Sequence, residues 1–216
     1  MKYLYRITIL LTLLLAGIGS YAQSFDGGLL CGGVISQVDG DHYSGYHHIG
    51  FTGGAYVALP LTDNLSLQNE LKYSLFGAHS SVDEVEAGQN PYSLNLHYVE
   101  MPVMLRYNLG KLRINGRHLD FFSVEGGVSF DFLMNNNESA NNEPALGTNR
   151  WRFFSMTANA GIHIDLNDRW GIGIRGMYSF LPIRIYVDNI HGNYVTHFYN
   201  KVWQATITFN ILSPLR

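Results

Sequence analysis

Apolar and polar residues alternate along most of this chain, which is the periodicity of a β-strand rather than of a helix. In Leu65–Leu75 every apolar residue has an odd number, and every polar residue except Asn69 has an even one. The same alternation appears in four later segments: Phe121–Met134, Phe154–Leu166, Trp170–Phe180 and Val202–Leu212.

Three less regular segments complete a set of eight: Gly27–Val38, Ile49–Leu59 and Ser93–Tyr107. The third changes the parity of its apolar residues near Tyr98. A bulge near Pro102 would explain the change, because proline cannot donate to a sheet. Strands of about 9–11 residues are long enough to cross a bilayer at the tilt of a barrel. No segment after the N-terminus has the periodicity of an amphipathic helix.

The connections between these segments alternate between short and long. Pro60–Asn64 and Asn167–Arg169 are short turns, and Asn108–Asp120 is a longer basic one. The other set is long and polar: Asp39–His48, Gly77–Pro91, Asn135–Arg150 and Pro182–Asn200. Short periplasmic turns and long external loops are typical of outer-membrane barrels. We therefore predict an all-β fold, an eight-stranded antiparallel up-and-down transmembrane β-barrel with both termini in the periplasm.

The composition favours this membrane barrel over a soluble lipocalin-like barrel or sandwich. Charged residues make up 14% of the chain, against roughly 25% in a soluble domain. Aromatic residues make up 13% and gather near the strand ends, as in interfacial girdles. We expect the apolar strand faces to contact lipid and the polar faces to line the lumen. The formal charge of −3 gives no electrostatic support for binding nucleic acid.

The first 22 residues have the layout of a secretory signal peptide. Two basic residues precede the apolar run Ile7–Ile18, and the small residue Ala22 predicts cleavage before Gln23. The run is too short to span a bilayer as a helix, and an uncleaved anchor is the alternative. We expect residues 1–22 to be removed and residues 23–216 to form the barrel in the outer membrane of a Gram-negative bacterium.

Two sequence elements resemble the PorT-like family of outer-membrane proteins of Bacteroidetes-type bacteria. Leu67–Ser74 has the pattern L-Q-x-E-L-x-Y-S, and Tyr98–Tyr107 has the pattern Y-x-E-x-P-x-x-x-[KR]-Y. Gly33–Asp41 and Gly50–Val57 also resemble this family, and the resemblance extends over essentially the whole chain after the signal peptide. It implies an eight-stranded barrel of the kind often described as porin-like. The founding member is linked to a protein secretion system, and the resemblance assigns no site residues.

Charged residues on the predicted lumen faces suggest an ionic network inside the barrel. An eight-stranded barrel has an interior just wide enough to be filled by side chains. Buried charges are tolerated there only if they are paired. We therefore predict a structural network of six residues: Glu70, Lys72, Glu100, Arg106, Glu125 and Arg175. A gated polar path along the same residues is the alternative.

The first long connection offers a metal hypothesis. His42, His47 and His48 lie close in sequence to Asp39 and Asp41. A zinc site needs three or four donors in a fixed array, and this spacing matches no established signature. A solvated loop is the simpler interpretation, and no cofactor is predicted.

The sequence contains no motif that indicates an enzyme. Ser155, His163 and Asp165 share one strand face, but Ser155 and His163 would lie about 26 Å apart along an extended strand. We predict a non-enzymatic, monomeric protein that contacts outer-membrane lipid. It would act as a structural or interaction protein through its long loops, with an extracellular or periplasmic protein partner. A small-solute channel or a ligand-binding barrel is the alternative.

Overall fold

Eight long strands, each paired antiparallel with the preceding one, follow the alternating segments of the sequence. The computed structural model describes residues 25–40, 45–88, 90–110, 113–114, 117–118, 120–140, 143–144, 151–188 and 194–212. The strands are β1 (Asp26–Asp39), β2 (His48–Pro60), β3 (Leu65–His79), β4 (Tyr92–Asn108), β5 (Phe122–Ala140), β6 (Phe154–Asp165), β7 (Trp170–Ser179) and β8 (Tyr194–Asn210). The predicted signal peptide, residues 1–22, lies outside the described residues.

The sheet closes into a barrel because β1 pairs with β8 as well as with β2. The register of the closing pair runs from Gly28 opposite Asn210 to Asp39 opposite Tyr199. Closure joins the backbone donors and acceptors of the first and last strands, which is the condition for a sheet to lie in lipid. The predicted eight-stranded antiparallel up-and-down barrel is confirmed.

The strands continue into segments that the sequence suggested were loops. β5 extends to Ala140, and β8 begins at Tyr194 and pairs there with a short strand, Arg184–Asp188. We call the end of the barrel that carries the long connections the long-loop end. Continued pairing means that this end carries sheet as well as loop.

A one-turn helix, α1 (Val82–Glu86), follows β3. The pattern of hydrophobic residues does not predict this helix, because the helix is a single turn with no buried residue. Its local sequence signal is a capping box. The Glu84 amide donates to Ser81 Oγ at 3.1 Å, and the Ser81 amide donates to Glu84 Oε2 at 2.8 Å. In the described part of the chain, no helix is long and apolar enough to cross a membrane.

The two faces of the strands are inverted relative to a soluble barrel. On the outer face Leu71 is 57% exposed, Ile207 48% and Met101 47%. On the inner face Lys72 is 2% exposed and Glu100 is fully buried. Outward apolar and inward polar side chains are the arrangement of a barrel that crosses lipid. The predicted orientation of the strand faces is confirmed.

The predicted bulge near Pro102 is wrong. Even-numbered residues of β4 point inward along its length, and Pro102 lies in regular pairing with Ser129. The register shift lies between His97 and Tyr98, where Met134 of β5 is the additional residue. The parity of the apolar residues changes for a different reason: the inward residues near the long-loop end belong to an apolar layer that crosses the lumen.

We predict that an arginine at Leu71 destabilises the barrel through its contact with lipid. Leu71→Arg should lower the free energy of unfolding by about 2–4 kcal/mol, because it places a charge on the lipid face of β3. Urea unfolding in phospholipid vesicles, followed by tryptophan fluorescence, measures the change. Leu61→Arg is the matched control, because Leu61 is 47% exposed in the turn after β2. Equal losses in the two variants would contradict the lipid-facing assignment.

Candidate functional site

All six residues of the predicted network point into the lumen. Glu70 and Lys72 come from β3, Glu100 and Arg106 from β4, Glu125 from β5 and Arg175 from β7. Side chains of a strand alternate between its two faces. Each of the six residues falls in the alternate set of positions that points to the interior of the barrel. Five are buried and Arg106 is partly buried. Their charges therefore depend on protein partners rather than on bulk water.

Arg175 lies at the centre of this group and spans the lumen. Its Nη1 donates to Glu70 Oε2 at 2.9 Å and its Nη2 to Glu70 Oε1 at 2.8 Å. On the other side its Nε donates to Glu125 Oε1 at 2.9 Å. One planar guanidinium thus holds two carboxylates, and the contact with Glu70 is bidentate. Such fork geometry is available to arginine and not to lysine.

A glycine between Arg175 and Glu125 permits this contact. In the sheet, Gly161 is the register partner of both residues, opposite Glu125 on one side and Arg175 on the other. A Cβ at Gly161 would lie 2.5 Å from the backbone oxygen of Ile174 and 3.3 Å from Cβ of Arg175. The absence of a side chain therefore lets the strands and the Arg175 side chain approach closely.

Two further donors complete the chain of contacts around Arg175. Arg106 donates to Glu125 Oε2 from Nη2 at 3.1 Å and from Nε at 3.3 Å. Gln68 Nε2 donates to Glu70 Oε1 at 2.7 Å. Gln68 was not among the predicted residues, although it has the same parity as Glu70. The sequence signal for Gln68 was its position on the polar face of β3, which it shares with Glu70 and Lys72.

Lys72 is shared between two carboxylates and one amide. Its Nζ donates to Gln204 Oε1 at 2.7 Å and lies 3.6 Å from Glu70 Oε2 and 3.7 Å from Glu100 Oε2. Gln204 of β8 also donates from Nε2 to Glu100 Oε1 at 3.5 Å. The sequence analysis missed Gln204 because it sought charges, and this partner is a neutral amide on a distant strand.

Asp131 is a fourth buried carboxylate that the sequence analysis missed. It lies on β5 opposite Glu100 of β4, and the hydroxyls of Ser129 and Thr157 donate to it. Its parity on the polar face of β5 was the available signal. The four carboxylates face three cationic side chains, so hydroxyl and amide donors supply part of the compensation. We call these residues the charged layer: Gln68, Glu70, Lys72, Glu100, Arg106, Glu125, Asp131, Arg175 and Gln204.

A second layer of side chains lies above the charged layer, towards the long-loop end. On β4 the inward residue after Glu100 is Tyr98, and on β7 the one after Arg175 is Met177. A step of two residues towards the long-loop end leads from Asp131 to Leu133 on β5 and from Gln204 to Val202 on β8. These and their neighbours form one buried cluster, the apolar layer: Val34, Val38, Phe76, Ala78, Leu94, Leu96, Tyr98, Leu133, Met177, Ile183 and Val202.

An ion pair covers the apolar layer at the long-loop end. Arg184 Nη1 donates to both oxygens of Glu138, at 2.8 and 3.0 Å, and Tyr92 also donates to Glu138. The guanidinium carbon lies 4.7 Å from the ring centroid of Trp151 and 5.7 Å from that of Phe198. These contacts join the extension of β5 to the hairpin that contains Arg184.

The histidines of the metal hypothesis do not form one described cluster. His42 lies outside the described residues, and His47 precedes β2. His48 is buried, with Nδ1 3.0 Å from Ser36 Oγ and Nε2 3.0 Å from Asn95 Oδ1. Both of its ring nitrogens are thus occupied. Within the described ranges, no group of three or more His, Cys, Asp or Glu residues could hold a metal ion.

The residues considered for catalysis are separated along β6. Ser155 lies at the long-loop end of the strand, and His163 lies near the other end, where its Nε2 is 3.2 Å from Asp165 Oδ1. The strand therefore does not bring Ser155 and His163 together as a catalytic pair.

The sequence matches the family model of the outer membrane protein beta-barrel domain over residues 21–184. The chain belongs to this family. It is thus an outer-membrane β-barrel protein, as the strand pattern predicted. No curated protein sequence matches the chain.

Several solved outer-membrane proteins resemble this barrel in structure. Ail, the attachment invasion locus protein of Yersinia pestis, is 10% identical with a TM-score of 0.45, and the match covers 86% of this chain and 98% of Ail. Neisserial surface protein A is 8% identical with a TM-score of 0.47, covering 87% of this chain and 97% of that protein. OprG of Pseudomonas aeruginosa is 10% identical with a TM-score of 0.44, covering 87% and 94%.

We predict that the barrel depends on Arg175. Arg175→Met should lower the free energy of unfolding by about 3–5 kcal/mol, because it leaves Glu70 and Glu125 buried without their shared cation. Urea unfolding in vesicles measures the loss. Neutralising both carboxylates in the same chain, with Glu70→Gln and Glu125→Gln, should restore part of it.

An exposed cation on the outer wall provides the control for Arg175. Lys201→Met removes a positive charge from the outer face of β8 near its long-loop end, where Lys201 pairs with Gln37 and Tyr178. A charge near the end of a spanning strand costs little, so the free energy of unfolding should change by less than about 1 kcal/mol. A loss as large as that of Arg175→Met, or a triple variant no more stable than the single one, would contradict the role given to the charged layer.

Proposed function

We propose that this protein is a closed, non-enzymatic outer-membrane barrel that acts as a structural and interaction protein through the connections at its long-loop end. The observation that carries the proposal is the filling of the lumen by two successive layers, one charged and one apolar. A barrel of eight strands has little interior to spare. Its free surface for partners is therefore outside the lumen.

The two layers oppose a solute channel in different ways. In the charged layer, Arg175 joins β3 to β5 by direct hydrogen bonds across the interior. In the apolar layer, Phe76 and Tyr98 are almost fully buried, and their ring centroids lie 5.4 Å apart. The apolar layer as a whole draws residues from β1, β3, β4, β5, β7 and β8. A continuous water path would have to pass through this cluster and separate the contacts of Arg175. These contacts support the closed barrel over the small-solute channel and the ligand-binding barrel.

Membership in the PorT-like branch, with its link to protein secretion, is part of the same proposal. Its support is the placement of the two sequence elements that resemble that branch. Glu70 of the first element, and Glu100 and Arg106 of the second, are all members of the charged layer. The elements thus correspond to the interior of the barrel rather than to its loops.

The remaining parts of the proposal concern export and assembly. Residues 1–22 act as a cleaved signal peptide, both termini lie in the periplasm, and the barrel is a monomer in contact with outer-membrane lipid. The partner is an extracellular or periplasmic protein. The residues with catalytic or metal-binding chemistry, such as His48 and His163, are buried with partners from the chain itself.

Planar-bilayer recording tests the closed lumen. The native protein should give no steady conductance. Trimming one layer, with Arg175→Ala or with Phe76→Ala and Tyr98→Ala together, should leave the path blocked by the other layer. The triple variant, trimmed in both layers, should give stepwise conductance. A cavity that loses its filling side chains in both layers can admit water.

Folding of each variant is checked before recording, by its β-sheet circular dichroism and its protease resistance in vesicles. Leu61→Ser, in the turn after β2, is a control that should remain closed. Steady conductance of the native protein would overturn the closed-barrel proposal, and opening by a single-layer variant would show that the other layer does not block the path.

A further inference from the structure

A groove of about 310 Å³ lies at the long-loop end, outside the lumen. One wall is α1, and the other is formed by the ends of β3, β4 and β5. Its lining includes the side chains of Val82, Val85, Pro91 and Tyr92, and Glu86 lies at the same wall. The other lining residues are His79 and four serines, and most of the exposed lining surface is apolar.

The frame of the groove is held by hydrogen bonds. The capping box of Ser81 and Glu84 fixes the first turn of α1, and the Ala87 amide donates to the Asp83 carbonyl at 2.9 Å. The Ser80 amide donates to the Tyr92 carbonyl at 3.0 Å, which joins the start of this connection to β4. A partner would thus meet a groove that already exists, and little ordering entropy would oppose binding.

The valines of α1 face the groove without being buried in it. Val82 is 72% exposed and Val85 36% exposed, and α1 has no buried residue. These side chains lie in the connection to β4, beyond His79, the last residue of β3. An exposed apolar surface on a preformed concave site is typical of a place where another molecule binds.

The charges of α1 identify the kind of molecule. Asp83, Glu84 and Glu86 lie within five residues, and α1 has no basic residue in its last turn. An anionic lipid surface would be repelled by this set, whereas lysine or arginine would be attracted. Glu86 and His79 both line the groove, and Asp83 lies beside it on the same helical turn as Glu86. The groove thus combines an apolar floor with one lining carboxylate and a neighbouring one.

We propose that this groove docks a segment of another protein in which an apolar side chain is flanked by lysine or arginine. The apolar side chain enters between Val82, Val85 and Tyr92, and the basic residues lie beside Asp83 and Glu86. This inference rests on the proposed function, since it names the partner chemistry for the connections at the long-loop end.

Isothermal titration calorimetry on the full-length protein in phosphatidylcholine nanodiscs tests the groove. The probe is the peptide acetyl-Lys-Leu-Lys-Leu-Lys-amide, compared with Glu-Leu-Glu-Leu-Glu and Lys-Ser-Lys-Ser-Lys of the same length. The first peptide should bind and the other two should not. Binding should weaken as salt rises from 0.05 to about 0.5 M, because the charges are at the surface.

Variants locate the binding. Val82→Ser combined with Val85→Ser should weaken binding by about tenfold or more, since it removes the apolar wall. Glu86→Gln should weaken it by about threefold, as expected for an exposed charge. The matched controls are Leu61→Ser and Asp168→Asn, at exposed positions in turns at the other end of the barrel, and both should bind like the native protein.

Four results would overturn the groove proposal. They are the absence of binding by the basic peptide, equal binding by the acidic peptide, unchanged binding in the valine variant, and equal heats from empty nanodiscs. Binding of phosphatidylglycerol vesicles through the valines would assign the groove to lipid instead. A concentration-dependent dimer that is lost in the valine variant would assign it to a second copy of the chain.

Conductance recordings of the native protein and of the valine variant separate this proposal from the closed-barrel function. If the native protein does not conduct and does not bind the basic peptide, the groove proposal is rejected and the closed barrel is retained. An open lumen in the native protein rejects the closed barrel, whatever the peptide does.

Discussion

Arg175 carries one positive charge between two carboxylates in an interior from which water is largely excluded. Its contacts with Glu70 and Glu125 join β7 to β3 and β5, and no two of these three strands are neighbours in the sheet. The backbone of a barrel can close without such contacts, but its polar inner face cannot lose water unless the charges find partners. The charged layer therefore makes a filled lumen compatible with strands whose inner faces are polar.

Filling the lumen has a consequence for the apolar layer above it. The inward parity of β4 continues from Glu100 to Tyr98 and Leu96, so the same face changes from polar to apolar within one strand. A change of this kind places apolar side chains inside the barrel at the long-loop end. The interior then has a protein-like core at the long-loop end and an ion-paired core in the middle.

Strand parity predicted most of the charged residues that meet in the lumen. The residues that it left out were left out for identifiable reasons. Glu70, Lys72 and Arg175 were identifiable because charges on a lumen face must be paired. Gln204 was missed because an uncharged amide gives no such signal, although it accepts a hydrogen bond from Lys72. Asp131 had the same parity signal as Glu125 and was overlooked; that hydroxyls of Ser129 and Thr157 are its donors is visible only in the closed barrel. The supposed bulge at Pro102 was wrong because a change in the apolar pattern was taken for a change in side-chain direction.

The sequence by itself determined the number of strands, their approximate positions and which face of the most regular strands meets lipid, because these depend on a period of two and on the lengths of the connections. The tertiary structure decided which lumen residues meet. Glu70 and Arg175 are more than a hundred residues apart, and their contact depends on closure of β1 against β8 and on the stagger of the strands. A local pattern carries no information on that stagger. The partners across the lumen, and the groove beside α1, therefore follow from the closed barrel and not from any one segment.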